Sequence, residues 1–193
     1  MGPRGWTGAA LVAALVLVVV VTSSLTLGWP PSPLGATGAA ASSLPPATPT
    51  VYRNLTISFA PSVGGFSYAP TELEVPAHVA VVFTITNDDP SVATVPTPSD
   101  AQVRGTTNGA MVVTEGGVAT TLTALPIDQI AHTFTISDSY YQANVPILAA
   151  ENGPVQVSFT MVFDFPGAFA WGCVVLCDGG MPGTMYGSLT VVP

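Results

Sequence analysis

The sequence contains no lysine, and its basic side chains are three arginines, Arg4, Arg53 and Arg104, besides two histidines. Against 11 acidic residues this leaves a formal charge of −8, so neither a nucleic-acid backbone nor an anionic lipid surface attracts the chain electrostatically. Nucleic acid is therefore excluded as a partner. Charged residues make up 7 % of the chain, against about a quarter in ordinary globular domains. Acid unfolding largely reflects carboxylates that cationic partners hold ionised, and such partners are scarce here, so acidification is expected to cost little stability. Only His78 and His132 are available as imidazoles, and neither lies near a G-x-S-x-G turn. That excludes nucleophilic hydrolysis of the familiar kind, and the chain is not expected to be an enzyme by itself.

What is present points to strands. Glycine and proline number 19 each, and valine and threonine are abundant, so most side chains favour strands or turns. The fold class expected is all-β. Short alternating stretches begin at Val51: Leu55, Ile57 and Phe59; Val81, Phe83 and Ile85; Phe134 and Ile136; Val155 through Phe163 in steps of two; Phe169 and Trp171; Leu189 and Val191. One buried and one exposed face per strand predicts two antiparallel sheets packed face to face. MVVTEGGVATTL, around Glu115, Gly116 and Gly117, predicts an extra hairpin within a long insertion from about Asp88 to Asp128. Met111 and Met161 read as core, and Trp171 as packing.

Ahead of this region, Gly8 to Leu27 is a run of about 20 uncharged residues, long enough to cross a bilayer. Arg4 is the only charge before it, which orients the N-terminus to the cytoplasm and the remainder outward. A cleaved signal peptide is the competing reading, since small residues from Ala39 to Ala41 follow. Both readings export the rest of the chain to a compartment that permits disulfides. The expected organisation is an N-terminal transmembrane helix over 1–28, a Pro, Ala, Ser and Thr-rich linker over 29–50, and one domain over 51–193. The last is about 140 residues, enough for a single core.

The stretch CVVLCDGGMPGTMYG carries the chemistry, with Cys173, Cys177, Met181 and Met185 spaced by fours. Strand parity places Cys173 on the face of Phe169 and Trp171, His132 on that of Phe134 and Ile136, and Met185 on that of Leu189 and Val191. Cys173, His132 and Met185 are thus expected to point inward at strand ends. If those ends meet, a thiol, an imidazole and a thioether converge, and soft sulfur donors with imidazole select copper. A Cys173–Cys177 disulfide in a metal-free sandwich is the alternative for the same residues. His78 opens the VAVVFTITN strand, about 25–30 Å from the end at Asn87, and reads as a surface turn residue.

From about Val51 to Pro193 the chain resembles a cupredoxin, the family that includes azurin, sulfocyanin and the copper domain of cytochrome oxidase subunit II. The stretches that carry the resemblance are FSYAPTELEVPAHVAVVFTITNDDP, AHTFTI and PGAFAWGCVVLCDGGMPGTMYGSLTVV. It implies a Greek-key β-sandwich with copper as cofactor. His132 matches the upstream histidine ligand, Cys173 and Cys177 the bridging cysteines of a binuclear centre, and Met185 the terminal methionine. Met181 stands where subunit II has its second histidine, which puts an ordinary binuclear centre in doubt. The expected function is extracytoplasmic electron transfer by a protein anchored at the cell membrane, passing electrons to a redox partner or serving a terminal oxidase complex. A Cu(I)-holding or copper-delivery protein and a metal-free structural module are the alternatives.

Overall fold

The structure, a computed structural model, describes residues 49–176 and 185–193. The chain divides into two units, Met1–Leu44 and Pro45–Pro193. The expected membrane segment, the linker up to residue 48, and the loop residues Cys177 and Met181 lie outside the described residues. Among the described residues no helix is long and apolar enough to cross a membrane. They form eleven strands and two short 3-10 turns, Pro98–Ala101 and Ile127–Gln129.

One sheet has six strands in the order β2 (Gly65–Ala69), β1 (Thr50–Ala60), β4 (Ala80–Asn87), β9 (Val155–Val162), β5 (Met111–Glu115) and β6 (Val118–Leu122). The other has five, β3 (Glu72–Pro76), β11 (Tyr186–Val192), β10 (Gly167–Gly172), β7 (Ile130–Ser137) and β8 (Gln142–Leu148). Alternate residues face inward: Val81, Phe83 and Ile85 on β4 and Val157, Phe159 and Met161 on β9 are buried. They meet Phe134, Ile136, Val145, Ile147, Trp171, Leu189 and Val191 from the second sheet. Aromatic rings join the layers. Phe83 stacks on Phe159 at 5.2 Å and meets Phe134 at 5.5 Å, and Phe134 stacks on Trp171 at 5.0 Å. Such pairs are worth about 0.5–1.5 kcal/mol each beyond the area they bury.

The all-β architecture agrees with the sequence reading, with three differences. Both sheets are mixed, because β1 runs parallel to β4 and β11 parallel to β3. A period of two reports which face is buried and is silent on a neighbour's direction. Phe59 is 59 % exposed, since β1 outruns β4 after the Ile57 and Asn87 pair and Phe59 packs only on Phe66 of its hairpin partner, 5.8 Å away. The β5–β6 hairpin is integral to the six-stranded sheet, where β5 pairs with β9. Its turn residues Gly116 and Gly117 have φ of 56° and 82°, as a two-residue hairpin turn requires.

The outer face of β7 and β8 is buried too, because the β4–β5 connection folds over it. Asn144 on β8 anchors that connection, its amide donating to the Asp100 and Gln102 carbonyls at 3.0 and 2.9 Å while its oxygen accepts from Thr135. The same connection begins with Asp88 and Asp89 at the end of β4, which brings two carboxylates to one end of the sandwich.

Gly187, at the start of β11, leaves no room for a side chain: a Cβ there would meet the Thr71 carbonyl and the Trp171 ring. Gly187→Ala is expected to destabilise the domain by on the order of 2 kcal/mol in urea unfolding, because backbone and a locked indole cannot yield. An unchanged midpoint would contradict this packing.

Candidate metal centre

Four strand ends meet at the end of the sandwich where β4 and β10 finish and β7 and β11 begin. β10 pairs with β7 on one side and β11 on the other, and its last residue, Gly172, is opposite both Thr135 and Tyr186. Cys173 follows immediately. Its backbone N–H donates to the Met185 carbonyl at 2.9 Å, so Cys173 and the residue preceding β11 are fixed side by side. Beyond Cys173, Leu176 exchanges both backbone hydrogen bonds with Thr94, at 3.0 and 3.1 Å, tying this loop to the β4–β5 connection.

His132 enters from β7 just after an irregularity in the pairing between Ile130 and His132. It is 1 % exposed, and its ring faces Phe66 of the opposite sheet with centroids 6.2 Å apart. The Cys173 sulfur accepts the Thr133 backbone N–H at 3.4 Å, and Thr133 Oγ1 in turn accepts the Val174 N–H at 3.0 Å. The Cys173 sulfur also lies close enough to the His132 imidazole to help raise its pKa. The thiol and the imidazole are therefore neighbours, half-buried and buried respectively. Met185 is buried beside them in sequence register, and its carbonyl carries the link to Cys173. Of the five residues singled out in the sequence, the structure thus brings His132, Cys173 and Met185 to one end.

His78 is at the other end, in the turn before β4, with φ of 58° and its backbone N–H bonded to Phe163 O. Its side chain is 72 % exposed, 3.7 Å from Asp164. It has no part in the site.

A further residue, Asp89, stands at the centre of the arrangement, and the sequence reading gave it no role. Its Oδ2 lies 2.8 Å from His132 Nε2, with the two side chains 2 % and 1 % exposed. Its Oδ1 accepts from the Ser91 N–H at 2.8 Å and from Ser91 Oγ at 2.6 Å. Asn87 sets the backbone, its Oδ1 accepting the Asp89 N–H at 3.1 Å and its Nδ2 donating to Leu148 O at 2.8 Å. The signal lay in NDDP at the end of a clear strand, where Asn and Asp typically close turns onto their own backbone. Nothing in one sequence says which of two adjacent aspartates turns inward.

Burial opposes charge on both members of this pair, and their contacts more than offset it. Asp89 has its pKa below the usual 3.8, because hydrogen bonds from His132 and Ser91 outweigh the cost of burial. His132 has its pKa above the usual 6.5, because Asp89 and then Cys173 outweigh the same cost. Among the described residues no group of three His, Cys, Asp or Glu side chains is placed to hold a metal ion. Both Asp89 oxygens are already engaged, so among the described residues at this end the imidazole of His132 and the thiol of Cys173 are the candidate donors, with Met185 next to Cys173 through its carbonyl.

No protein-family model and no curated protein matches the sequence. Among solved structures the chain is similar to a His143Met variant of rusticyanin, at 16 % identity and a TM-score of 0.39, over 74 % of this chain and 78 % of that one. It is also similar to auracyanin B, at 16 % identity and 0.36, over 78 % and 94 %. A multicopper oxidase from Campylobacter jejuni matches at 12 % identity and 0.44, over 76 % of this chain and 31 % of that one. Likenesses this loose assign no family.

The expectation of acid indifference meets an exception at Asp89. A carboxylate with a depressed pKa stabilises the fold above its unfolded value, near 3.8, and that contribution is lost as pH falls through the folded value. An imidazole with a raised pKa contributes fully below about 6.5 and loses its contribution as pH rises through the folded value. The metal-free protein is therefore expected to melt highest between about pH 4 and 6.5 and lower on both sides. Asp89→Asn should flatten the acid side of that profile. A wild-type melting temperature that does not change on the acid side would contradict the assignment.

Proposed function

We propose that Pro45–Pro193 is a cupredoxin-type copper domain that transfers single electrons. The observation that carries this reading is the juxtaposition of His132 and Cys173 at one end of a two-sheet sandwich, where the Cys173 sulfur accepts the N–H of Thr133, the residue next to His132. The residues fit the metal on chemical grounds. Imidazole and thiolate are the donors that copper takes in electron-transfer sites, and a thioether completes such a set. His132 and Cys173 would hold the ion with Met185, and the loop residues Cys177 and Met181 are proposed to add to the set.

Copper bound there would supply a one-electron Cu(II)/Cu(I) couple. The chain's own part is to hold the donors still and dry. His132 is locked by β7 pairing and by its carboxylate partner. Cys173 is held between the Met185 carbonyl and the Thr133 N–H, and the latter stabilises an anionic sulfur. Rigid donors favour fast electron exchange because little need reorganise between the two oxidation states. Methionine in place of a second histidine softens the set and should favour Cu(I), raising the reduction potential. The uncharged run from Gly8 to Leu27 supports placing this domain outside a cell membrane on a single-pass anchor, with a redox protein or a terminal oxidase complex as partner.

Metal analysis and an optical spectrum of the copper-loaded full chain test the proposal. One copper per chain and a strongly coloured oxidised form are expected, and Cys173→Ala or His132→Ala should abolish both. A copper-loaded protein that stays colourless under oxidants would mark a Cu(I)-holding protein instead. An intact Cys173–Cys177 disulfide with no bound metal would overturn the copper reading altogether.

A further inference from the structure

We propose that Asp89 is a positioning residue that fixes the tautomer of His132, leaving Nδ1 as the nitrogen able to bind a metal. The inference rests on the copper reading for its purpose, though not for its geometry. Every polar contact of the carboxylate forces the same proton arrangement. Oδ1 faces two donors, the Ser91 backbone N–H and the Ser91 hydroxyl, at 2.8 and 2.6 Å. A backbone N–H can only donate, so Oδ1 must accept. Oδ2 is then the atom left for His132 Nε2 at 2.8 Å. An ionised carboxylate accepts and never donates, so the proton of a neutral ring resides on Nε2. The lone pair is left on Nδ1.

The loop makes this choice hard to reverse. Asn87 accepts the Asp89 N–H, and the Ala150 N–H donates to Asp89 O at 2.8 Å, so the backbone carrying the carboxylate is held from the end of β4 and from the loop after β8. Asp89 and His132 are sealed from water, which leaves no solvent to substitute for either partner. A carboxylate on the far nitrogen of a metal-binding imidazole orients the ring and raises its basicity, and its loss typically costs about 10–100-fold in metal affinity.

Asparagine is an informative replacement because it is nearly isosteric and cannot satisfy both sides. If its oxygen keeps the two Ser91 donors, its NH2 group faces Nε2. The ring must then accept there and move its proton to Nδ1. If the amide turns over, NH2 is driven against the Ser91 N–H, donor against donor. The first arrangement leaves fewer groups unpaired, so Asp89→Asn should switch the tautomer. Asp89→Asn should therefore weaken copper binding by about 10–100-fold while the fold is kept.

The test is nitrogen NMR of the imidazole in the copper-free full chain, at a pH where the ring is neutral, alongside copper affinity by competition with a chelator. Wild type should show a protonated Nε2 and an unprotonated Nδ1, which needs no variant. Asp89→Asn should show the reverse with the stated loss of affinity. Ser91→Ala, which removes only one donor to Oδ1, should keep the wild-type tautomer and stay within a few-fold in affinity. Protonated Nδ1 in the wild type would overturn the proposal. So would an Asp89→Asn protein with unchanged tautomer and affinity. If the tautomer switches as expected and yet neither protein binds copper, Asp89 controls the ring and the copper reading falls alone.

Discussion

Gly172 is paired on one side with Thr135 and on the other with Tyr186, so β10 is clamped between β7 and β11 at the point where it ends. Everything at the site follows from that three-strand junction. Cys173 leaves the sheet one residue later, its N–H taken by Met185 O and its sulfur met by the Thr133 N–H. The thiol, the imidazole of β7 and the residue opening β11 are thereby brought together by backbone ladders, which are the stiffest elements available. Behind the junction, Trp171 fills the space over Gly187 and stacks on Phe134, so the core and the site share a wall. Side-chain packing of this kind has little slack, and displacement of one strand would be felt at His132, Cys173 and Met185 alike.

The second support is polar. The β4–β5 connection carries Asp89 inward and is fastened by the side chains of Asn87, Asp89 and Asn144, each satisfying backbone groups that would otherwise be buried unpaired. With charged residues at 7 % of the chain, one carboxylate among the described residues lies in the interior, with each oxygen engaged. Burying an ion is costly, and it persists where partners surround it.

Much of this was legible in the sequence, and the physical reason differs from part to part. Inward positions on β4, β9, β10 and β11 followed from a period of two, since sheet pleating allows no other reading. The parity of His132, Cys173 and Met185 followed likewise, because each lies an even number of residues from a core position on the strand that carries or adjoins it. Strand direction did not follow, as parallel and antiparallel neighbours bury the same faces, and Phe59 was misread because the end of β4 is set by tertiary register. Asp89 was invisible for a different reason. Its role depends on a loop that turns through Asn87 and Ser91 to meet a histidine 43 positions away, and no periodicity encodes that.

The central claim is that His132 and Cys173 bind one copper ion together. X-ray absorption at the copper edge, on the loaded full chain, addresses it most directly. The account predicts a short sulfur shell together with imidazole scattering, with the imidazole signal lost in His132→Ala and the sulfur shell lost or lengthened in Cys173→Ala. A metal environment of oxygen and nitrogen alone, unchanged by either substitution, would contradict it.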